Sequence, residues 1–184
     1  PTLDHLCAGN RLNITKAIVI RNGIDTRRFD VAKGTGQHLR DEWGIRSSQP
    51  LIGMIGRVSH FKGQEYFLRV ASLVSQTHPE AHFAMVGGTF SGQETLLAEL
   101  RALVKKLGLS SVVHMSDFRT DIPAVLDAFD IVVLPSTLPD PFPTVVLEAM
   151  GAAKPVVANA HGGTLEMVDD GATGLLVKPD QPQG

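Results

Sequence analysis

Short runs of β-branched and apolar residues alternate along this chain with longer stretches in which apolar positions recur every third or fourth residue. The first pattern is that of strands and the second that of amphipathic helices. "AIVI" at 17–20 runs into the turn pair Asn22-Gly23 and predicts a strand. "PLIGMIG" (50–56), "AHFAMVGG" (81–88), "SVVHM" (111–115), "DIVVLP" (130–135), "KPVVAN" (154–159) and "GLLV" (174–177) predict the others. Phe67, Val70, Ala71 and Val74 mark a helix over 62–76. Leu96, Leu97, Leu100, Leu103, Val104 and Leu107 mark another over 93–107, closed by Gly108 as a cap. Asp121-Ile122-Pro123 predicts a short helix with the aspartate as N-cap, and 144–151 a further one. The run 130–135 is continuous in Val, Ile and Leu, so burial on both faces is expected.

Strand and helix alternating at this spacing define βαβ units. The fold class is α/β: a Rossmann-like, doubly wound parallel sheet with helices on both faces. There is no internal repeat and no low-complexity linker. Ligands in such sheets sit beyond the carboxyl ends of the strands. Those ends carry the unusual residues here: Gly56-Arg57, Gly87-Gly88, Pro135-Ser136 and 159–163.

Composition adds bounds. The 184 residues are 43 % hydrophobic and 20 % charged, with a formal net charge of −2. That is a globular balance with no basic surplus to attract nucleic acid or an anionic membrane. One cysteine, Cys7, excludes an internal disulfide framework and fits a reducing compartment. No apolar stretch reaches the ~18 residues that span a bilayer, so a cytoplasmic protein is expected. The chain starts at Pro1 and stops at Gly184 after a polar, proline-rich tail, which suggests a piece of a longer protein. The expected division is a leading segment, 1–16, and a Rossmann-like domain, 17–184, with helices missing after it.

Two stretches carry chemistry. In "GMIGRVSHFKGQE" (53–65), Gly56 allows a ligand to approach the backbone, Arg57 offers a planar fork and Lys62 a mobile point charge, with a helix N-terminus behind them. That grouping suits a diphosphate; the alternative is a solvated surface loop. It is not a Walker loop. In "PDPFPTVVLEAMG" (139–151), Asp140 and Glu148 lie eight residues apart. Along a helix that is roughly 12 Å, too far for the acid–base pair of a glycoside hydrolase, which needs about 5–9.5 Å. Two carboxylates so placed suit the two ends of an extended ligand, with a helix N-terminus between them to seat phosphate. Alternatively, Asp140 caps the helix with Pro141 at its first position, and Glu148 is an exposed helix residue.

Gly56-Arg57, Lys62-Gly63, "VLPS" (133–136), "LEAM" (147–150), "KPVVA" (154–158) and "GATGLLV" (171–177) stand in an order and spacing that resembles the C-terminal, donor-binding half of a retaining GT-B glycosyltransferase of glycosyltransferase family 4. "IRNGID" (20–25) is similar to the segment that leads into that half. The resemblance covers nearly the whole chain. It implies sugar transfer from a nucleoside diphosphate sugar with retention at the anomeric carbon, and no metal or other cofactor. Arg57, Lys62 and Asp140 would be catalytic. Arg57 and Lys62 would hold the diphosphate and stabilise the leaving group, and Asp140 would take the sugar-contacting first place of the family's E-x7-E motif. Glu148, in the second place, would bind the ribose hydroxyls. Gly56, Gly87, Gly88, Phe118, Arg119, Phe142 and Thr144 complete the implied donor site. The loop at Asp117, Phe118 and Arg119 would hold the base, and the Thr144 amide the distal phosphate.

Three residues depart from the family pattern. Asp140 replaces Glu and reaches one methylene less far. Pro143 replaces Gly and has no N–H to give. Asp117 replaces Gly. The implied partners are the donor and a missing N-terminal acceptor-binding domain, with membrane contact only through that half and no nucleic acid. The alternatives are a non-catalytic nucleotide-sugar-binding module and a sugar-nucleotide epimerase of GT-B type. Of the other residues near the proposed cleft, His60 and His161 are candidates for ligand contact, Glu166 is expected to steady the 160s glycine loop, and Trp43 and Tyr66 are expected to pack.

Overall fold

The computed structural model describes residues 18–30, 32–90, 92 and 94–179. Its elements run α1 (Arg27–Asp30), α2 (Gln37–Glu42), β1 (Leu51–Ile55), α3 (Gln64–Thr77), β2 (His82–Val86), α4 (Glu94–Lys106), β3 (Val113–Ser116), α5 (Ile122–Ala128), β4 (Ile131–Leu134), α6 (Thr144–Gly151), β5 (Val156–Asn159), α7 (Thr164–Met167) and β6 (Gly174–Val177). The strands form one sheet in the order β3-β2-β1-β4-β5-β6, and every pairing is parallel. The order reverses between β1 and β4. Right-handed crossovers then send α3 and α4 to one face and α5, α6 and α7 to the other.

Each face has its own core. Phe67, Leu68 and Ala71 of α3 and Leu100 and Val104 of α4 bury against Met54, Phe83 and Met85. On the other face Phe29, Leu39, Val125, Leu126, Val146 and Ala149 bury against Leu51, Val132, Leu134, Val156 and Ala158. Gly53 sits mid-strand because the Phe129 ring occupies the space a side chain would need: a Cβ there would lie 2.0 Å from Phe129 Cε2. Trp43 packs against the second core and stacks on His114 with ring centroids 5.6 Å apart. Burial, with His82 alongside, holds the His114 imidazole down to about 4.

Three expectations change. Residues 18–20 form no strand; Ile18 and Ile20 are each 84 % exposed. They have the composition of a strand but no neighbour to pair with, and residue 17 lies outside the described residues. β4 is not covered on both faces. Val132 and Leu134 are buried, whereas Ile131 and Val133 look into an apolar groove of about 400 Å³ between α3 and β5, where Tyr66, Val70, Val74 and Val157 also lie. Asp121 does stand at the N-cap of α5, but its carboxylate makes no cap bond; it pairs with Arg119 instead. The end of α4 is as expected, with Gly108 in the left-handed region at φ 71° and its N–H donating to Lys105 O.

The amino ends of the central strands are tied by Arg40 of α2, 7 % exposed. Its Nε donates to Ala128 O (2.8 Å), Nη1 to Gln49 O (3.0 Å) and Nη2 to Asp130 Oδ2 (2.6 Å). The same carboxylate oxygen accepts the Leu51 N–H at 2.7 Å. One guanidinium thus joins α2, the start of β1 and the start of β4, all on the side away from the carboxyl ends. Arg40→Ala leaves buried carbonyls without donors and is expected to cost about 2–3 kcal/mol, read as a lowered urea midpoint with an unchanged slope.

Candidate functional site

The carboxyl ends of β1 and β4 open where the strand order reverses, and the loops that follow them meet there. After β1, residues 57–63 fold back under three constraints. Gln64, 3 % exposed, donates from Nε2 to Arg57 O at 2.9 Å. Thr137, in the loop after β4, donates its N–H to Phe61 O at 2.9 Å and its hydroxyl to His60 O at 3.0 Å. Gly63 takes φ 77°, and a Cβ there would lie 1.9 Å from Pro135 O. Only glycine fits both the angle and the approach.

This docking carries Lys62 to Asp140. Lys62 Nζ donates to Asp140 Oδ2 at 2.7 Å, with the side chains 31 % and 24 % exposed. The stem of Lys62 runs beside Gly56, where a Cβ would stand 3.8 Å from Lys62 Cδ. Asp140 does not cap α6, because the helix begins at Thr144 with Pro143 at its N-cap. It sits in the irregular segment ahead of the helix, whose Asp140 carbonyl accepts the Gly163 N–H at 2.7 Å. The first-turn amides of α6, Thr144 included, have no acceptor within the helix. Phe142 is half-buried against the core, and its carbonyl accepts a bond from Asn22 Nδ2 at 3.1 Å.

Beside this pair lies a cavity of about 720 Å³. Gly56 and Arg57 from the end of β1, Gly87 and Gly88 from the end of β2, Phe118 and Arg119 from the loop after β3, and Glu148 from α6 all line it. Gly87, at φ 146°, leaves the Gly56 carbonyl room that a Cβ would take, at 2.2 Å. Of the expected site residues, then, Gly56, Arg57, Gly87, Gly88, Phe118, Arg119 and Glu148 share one cavity. Lys62 and Asp140 form the adjoining pair, and Thr144 opens the helix that carries Glu148.

The charges here are unevenly engaged. Arg119 is committed to Asp121 through two bonds of 2.8 and 2.7 Å. Arg57 pairs with no carboxylate among the described residues; its guanidinium carbon lies 3.8 Å from the Phe90 ring centroid, a cation–π contact that leaves its N–H groups available. Glu148 is half-buried. Burial pushes its carboxyl above its ordinary value of 4.5, and the charge of Arg28 partly offsets the rise. Asp117 turns its Oδ1 to the Phe118 N–H at 2.7 Å.

His60 and His161 do not line this cavity. His60 lies in a separate one with Gln64 and Leu96, and the Nε2 of His161 is 2.8 Å from Ser136 O. Glu166 pairs with Arg21 at 2.9 Å rather than bracing the glycine loop with its side chain. Sequence reasoning missed Arg28, Gln64 and Phe90. Their only sequence signal was proximity to motif residues, since each acts through a neighbour that the fold supplies.

A parallel sheet of this order defines the class as a Rossmann-like, doubly wound fold, and its match to solved glycosyltransferases makes it one half of a GT-B fold. Residues 37–184 match the family described as glycosyl transferases group 1, and the chain belongs to that family. It is 34 % identical over 169 residues to D-inositol 3-phosphate glycosyltransferase of Corynebacterium jeikeium, covering 89 % of this chain and 40 % of that protein. It is 32 % identical to mannosylfructose-phosphate synthase of Agrobacterium fabrum, covering 84 % of this chain and 35 % of that one. Among solved structures, Anabaena Alr3699/HepE in complex with UDP and glucose superposes with a TM-score of 0.86 at 33 % identity, covering 97 % of this chain and 47 % of that chain. The C-terminal domain of a group 1 family protein (LpcC) from Francisella tularensis superposes with a TM-score of 0.75 at 30 % identity, covering 88 % of this chain and 83 % of that domain. The chain spans about two-fifths of the length of these curated relatives. No helix among the described residues is long and apolar enough to cross a membrane.

The state of Glu148 can be read from stability. Its raised value means that the folded protein holds this proton more tightly than the unfolded chain. The resulting stabilisation is full below pH 4.5 and is lost as pH rises through the folded value. Glu148→Gln cannot ionise, so its melting temperature should match the parent near pH 4 and exceed it increasingly toward pH 7. Circular-dichroism melts across that range check this; an offset independent of pH contradicts it.

Proposed function

We propose that this chain is the donor-binding half of a retaining glycosyltransferase of glycosyltransferase family 4, which moves a sugar from a nucleoside diphosphate sugar to an acceptor. The observation that carries the reading is the convergence at the sheet reversal: Arg57 and Glu148 line one cavity, and the stem of Lys62, paired with Asp140, runs beside Gly56 of its wall. The UDP and glucose in the Anabaena structure support the same class of donor.

In this reading the base lies along the loop at 117–119. The ribose hydroxyls donate to Glu148, and the diphosphate crosses between Arg57, Lys62 and the amide of Thr144. Asp140 accepts from hydroxyls of the sugar. As the bond to the anomeric carbon breaks, negative charge grows on the departing phosphate while the sugar becomes oxocarbenium-like. Fixed cations and helix amides aimed at that phosphate stabilise the developing charge. Asp140 lacks one methylene of Glu, and its 2.7 Å bond to Lys62 supports a role for its carboxylate at the junction of phosphate and sugar. The missing amide at Pro143 removes one phosphate donor and leaves Thr144 as the first. The acceptor site belongs to the part of the protein outside this chain, so this half by itself holds the donor without completing transfer.

Calorimetric titration with UDP, GDP and ADP tests the reading. One of them should bind, and Arg57→Ala and Glu148→Ala should each weaken it by about tenfold or more, the loss of one charge-assisted contact. Failure of all three to bind a folded chain at millimolar concentration would overturn the donor site. Asp140→Asn gives a sharper test. It removes the carboxylate that now takes up the charge of Lys62, so the bare diphosphate should bind more tightly while any preference for the sugar-bearing donor is lost. Weaker binding of both would show that Asp140 does not compete for Lys62.

A further inference from the structure

Adjacent arginines on α1 do different things. Arg27 is committed to Asp25, with Nε donating to Oδ1 at 2.9 Å and Nη2 to Oδ2 at 2.8 Å. Arg28 pairs with no carboxylate at ion-pair distance among the described residues, and it lines the cavity together with Glu148.

The position of Arg28 is set by packing. Phe29, next to it, is 5 % exposed and lies against the last residue of α6. A Cβ built on Gly151 would stand 3.0 Å from Phe29 Cδ2 and 3.2 Å from Ile24 Cδ1. α1 is therefore seated on the helix that carries Glu148 three residues earlier. A side chain at 151 would lift Phe29, and Arg28 with it.

Glu148 needs a nearby cation. Ile55 and Ile122 share its cavity wall, and such apolar surroundings disfavour a charged carboxyl. Ionised, the carboxylate offers acceptors on both oxygens; protonated, one oxygen becomes a donor. A vicinal diol that donates one bond to each carboxyl oxygen needs the ionised form. The other charged groups on the cavity wall are Arg57, Asp117 and Arg119. Arg57 lies over Phe90 and Arg119 is tied to Asp121. That leaves Arg28, which lines the same cavity as Glu148 without a carboxylate partner of its own among the described residues, and whose charge favours the ionised carboxyl.

We propose that Arg28 is a positioning residue: carried on α1, which Phe29 seats on α6, it shares the cavity wall with Glu148 and favours the charged carboxylate that accepts one ribose hydroxyl on each oxygen, and so extends nucleotide binding to lower pH. The nucleotide half of this inference rests on the donor-site reading; the hold of Arg28 on Glu148 does not.

Both halves can be measured. The Glu148 side-chain carboxyl is followed by ¹³C NMR through a pH titration in the parent chain, Arg28→Ala and Arg28→Lys. UDP affinity is measured for the same three proteins, and for Glu148→Gln, at pH 5 and pH 8. The expected result is a higher titration midpoint for Glu148 in Arg28→Ala, restored toward the parent by Arg28→Lys. UDP binding by Arg28→Ala should weaken at pH 5 by roughly two- to fivefold, the scale of a solvent-screened charge interaction, and by less at pH 8. Glu148→Gln should lose the pH difference. An unchanged midpoint in Arg28→Ala overturns the proposal, and so does an equal loss of affinity at both pH values. If the parent chain binds no UDP, GDP or ADP, the donor reading falls, and the carboxyl titration still decides whether Arg28 governs Glu148.

Discussion

The candidate site depends on a backbone contact with no side chain in it: the alpha carbon of Gly63 lying against the carbonyl of Pro135. The loops after β1 and β4 leave neighbouring strands on either side of the strand-order reversal. They can close on each other only if one offers no Cβ at the crossing. A Cβ at 1.9 Å from that oxygen would drive them apart. With them would go the Thr137 bonds to His60 and Phe61, and then the 2.7 Å pairing of Lys62 with Asp140. Strand topology brings these loops near one another, and the absence of one methyl group lets them touch.

Around that contact the electrostatics are left incomplete in a particular way. The Arg40–Asp130 contact at the opposite ends of the strands is closed: every group involved has a partner in the protein. At the carboxyl ends Lys62 and Asp140 satisfy one another, as do Arg119 and Asp121, but other groups on the cavity are held without a partner of opposite charge. Arg57 rests on an aromatic face, the first amides of α6, at Thr144 and Val145, have no acceptor within the helix, and Glu148 is half-buried with only an exposed arginine to favour its charge. Such an arrangement spends stability on readiness for an anionic, hydroxyl-bearing ligand. Hence the glutamate that would bind ribose also weakens the fold as pH rises.

The two faces of the sheet are unequal. The face that bears α5, α6 and α7 is closed, and it carries Glu148 and the seat of α1. Among the described residues the other face is closed only over β1, β2 and β3. Over β4 and β5 it presents Ile131, Val133 and Val157 to a groove beside α3. The face that carries Glu148 is therefore the consolidated one, and that wall of the cavity is anchored in packed core.

Much of this was legible in the residues. The alternation of strand and helix periods gave the α/β class, and six of the expected strands are present close to their expected bounds. The glycines and basic residues at strand ends marked the right end of the sheet, because ligand-approach positions tolerate little besides glycine. The "AIVI" run misled, since β-propensity cannot say whether a pairing partner exists. The unbroken apolar run of β4 misled too, since hydrophobicity reports that a face can be buried, not that something covers it. Linear spacing allowed Asp140 to lie at the start of the helix of Glu148 or to cap it, whereas the prolines hold it ahead of that helix and against Lys62. The sequence by itself determined which elements form and which residues could carry charge to the strand ends, because both follow from local periodicity and residue type. Tertiary structure alone decided what meets what: Lys62 with Asp140, Arg57 with Phe90, and Arg28 on the same cavity wall as Glu148. Each pair joins segments distant in the chain, and only strand order and close backbone packing bring them within reach.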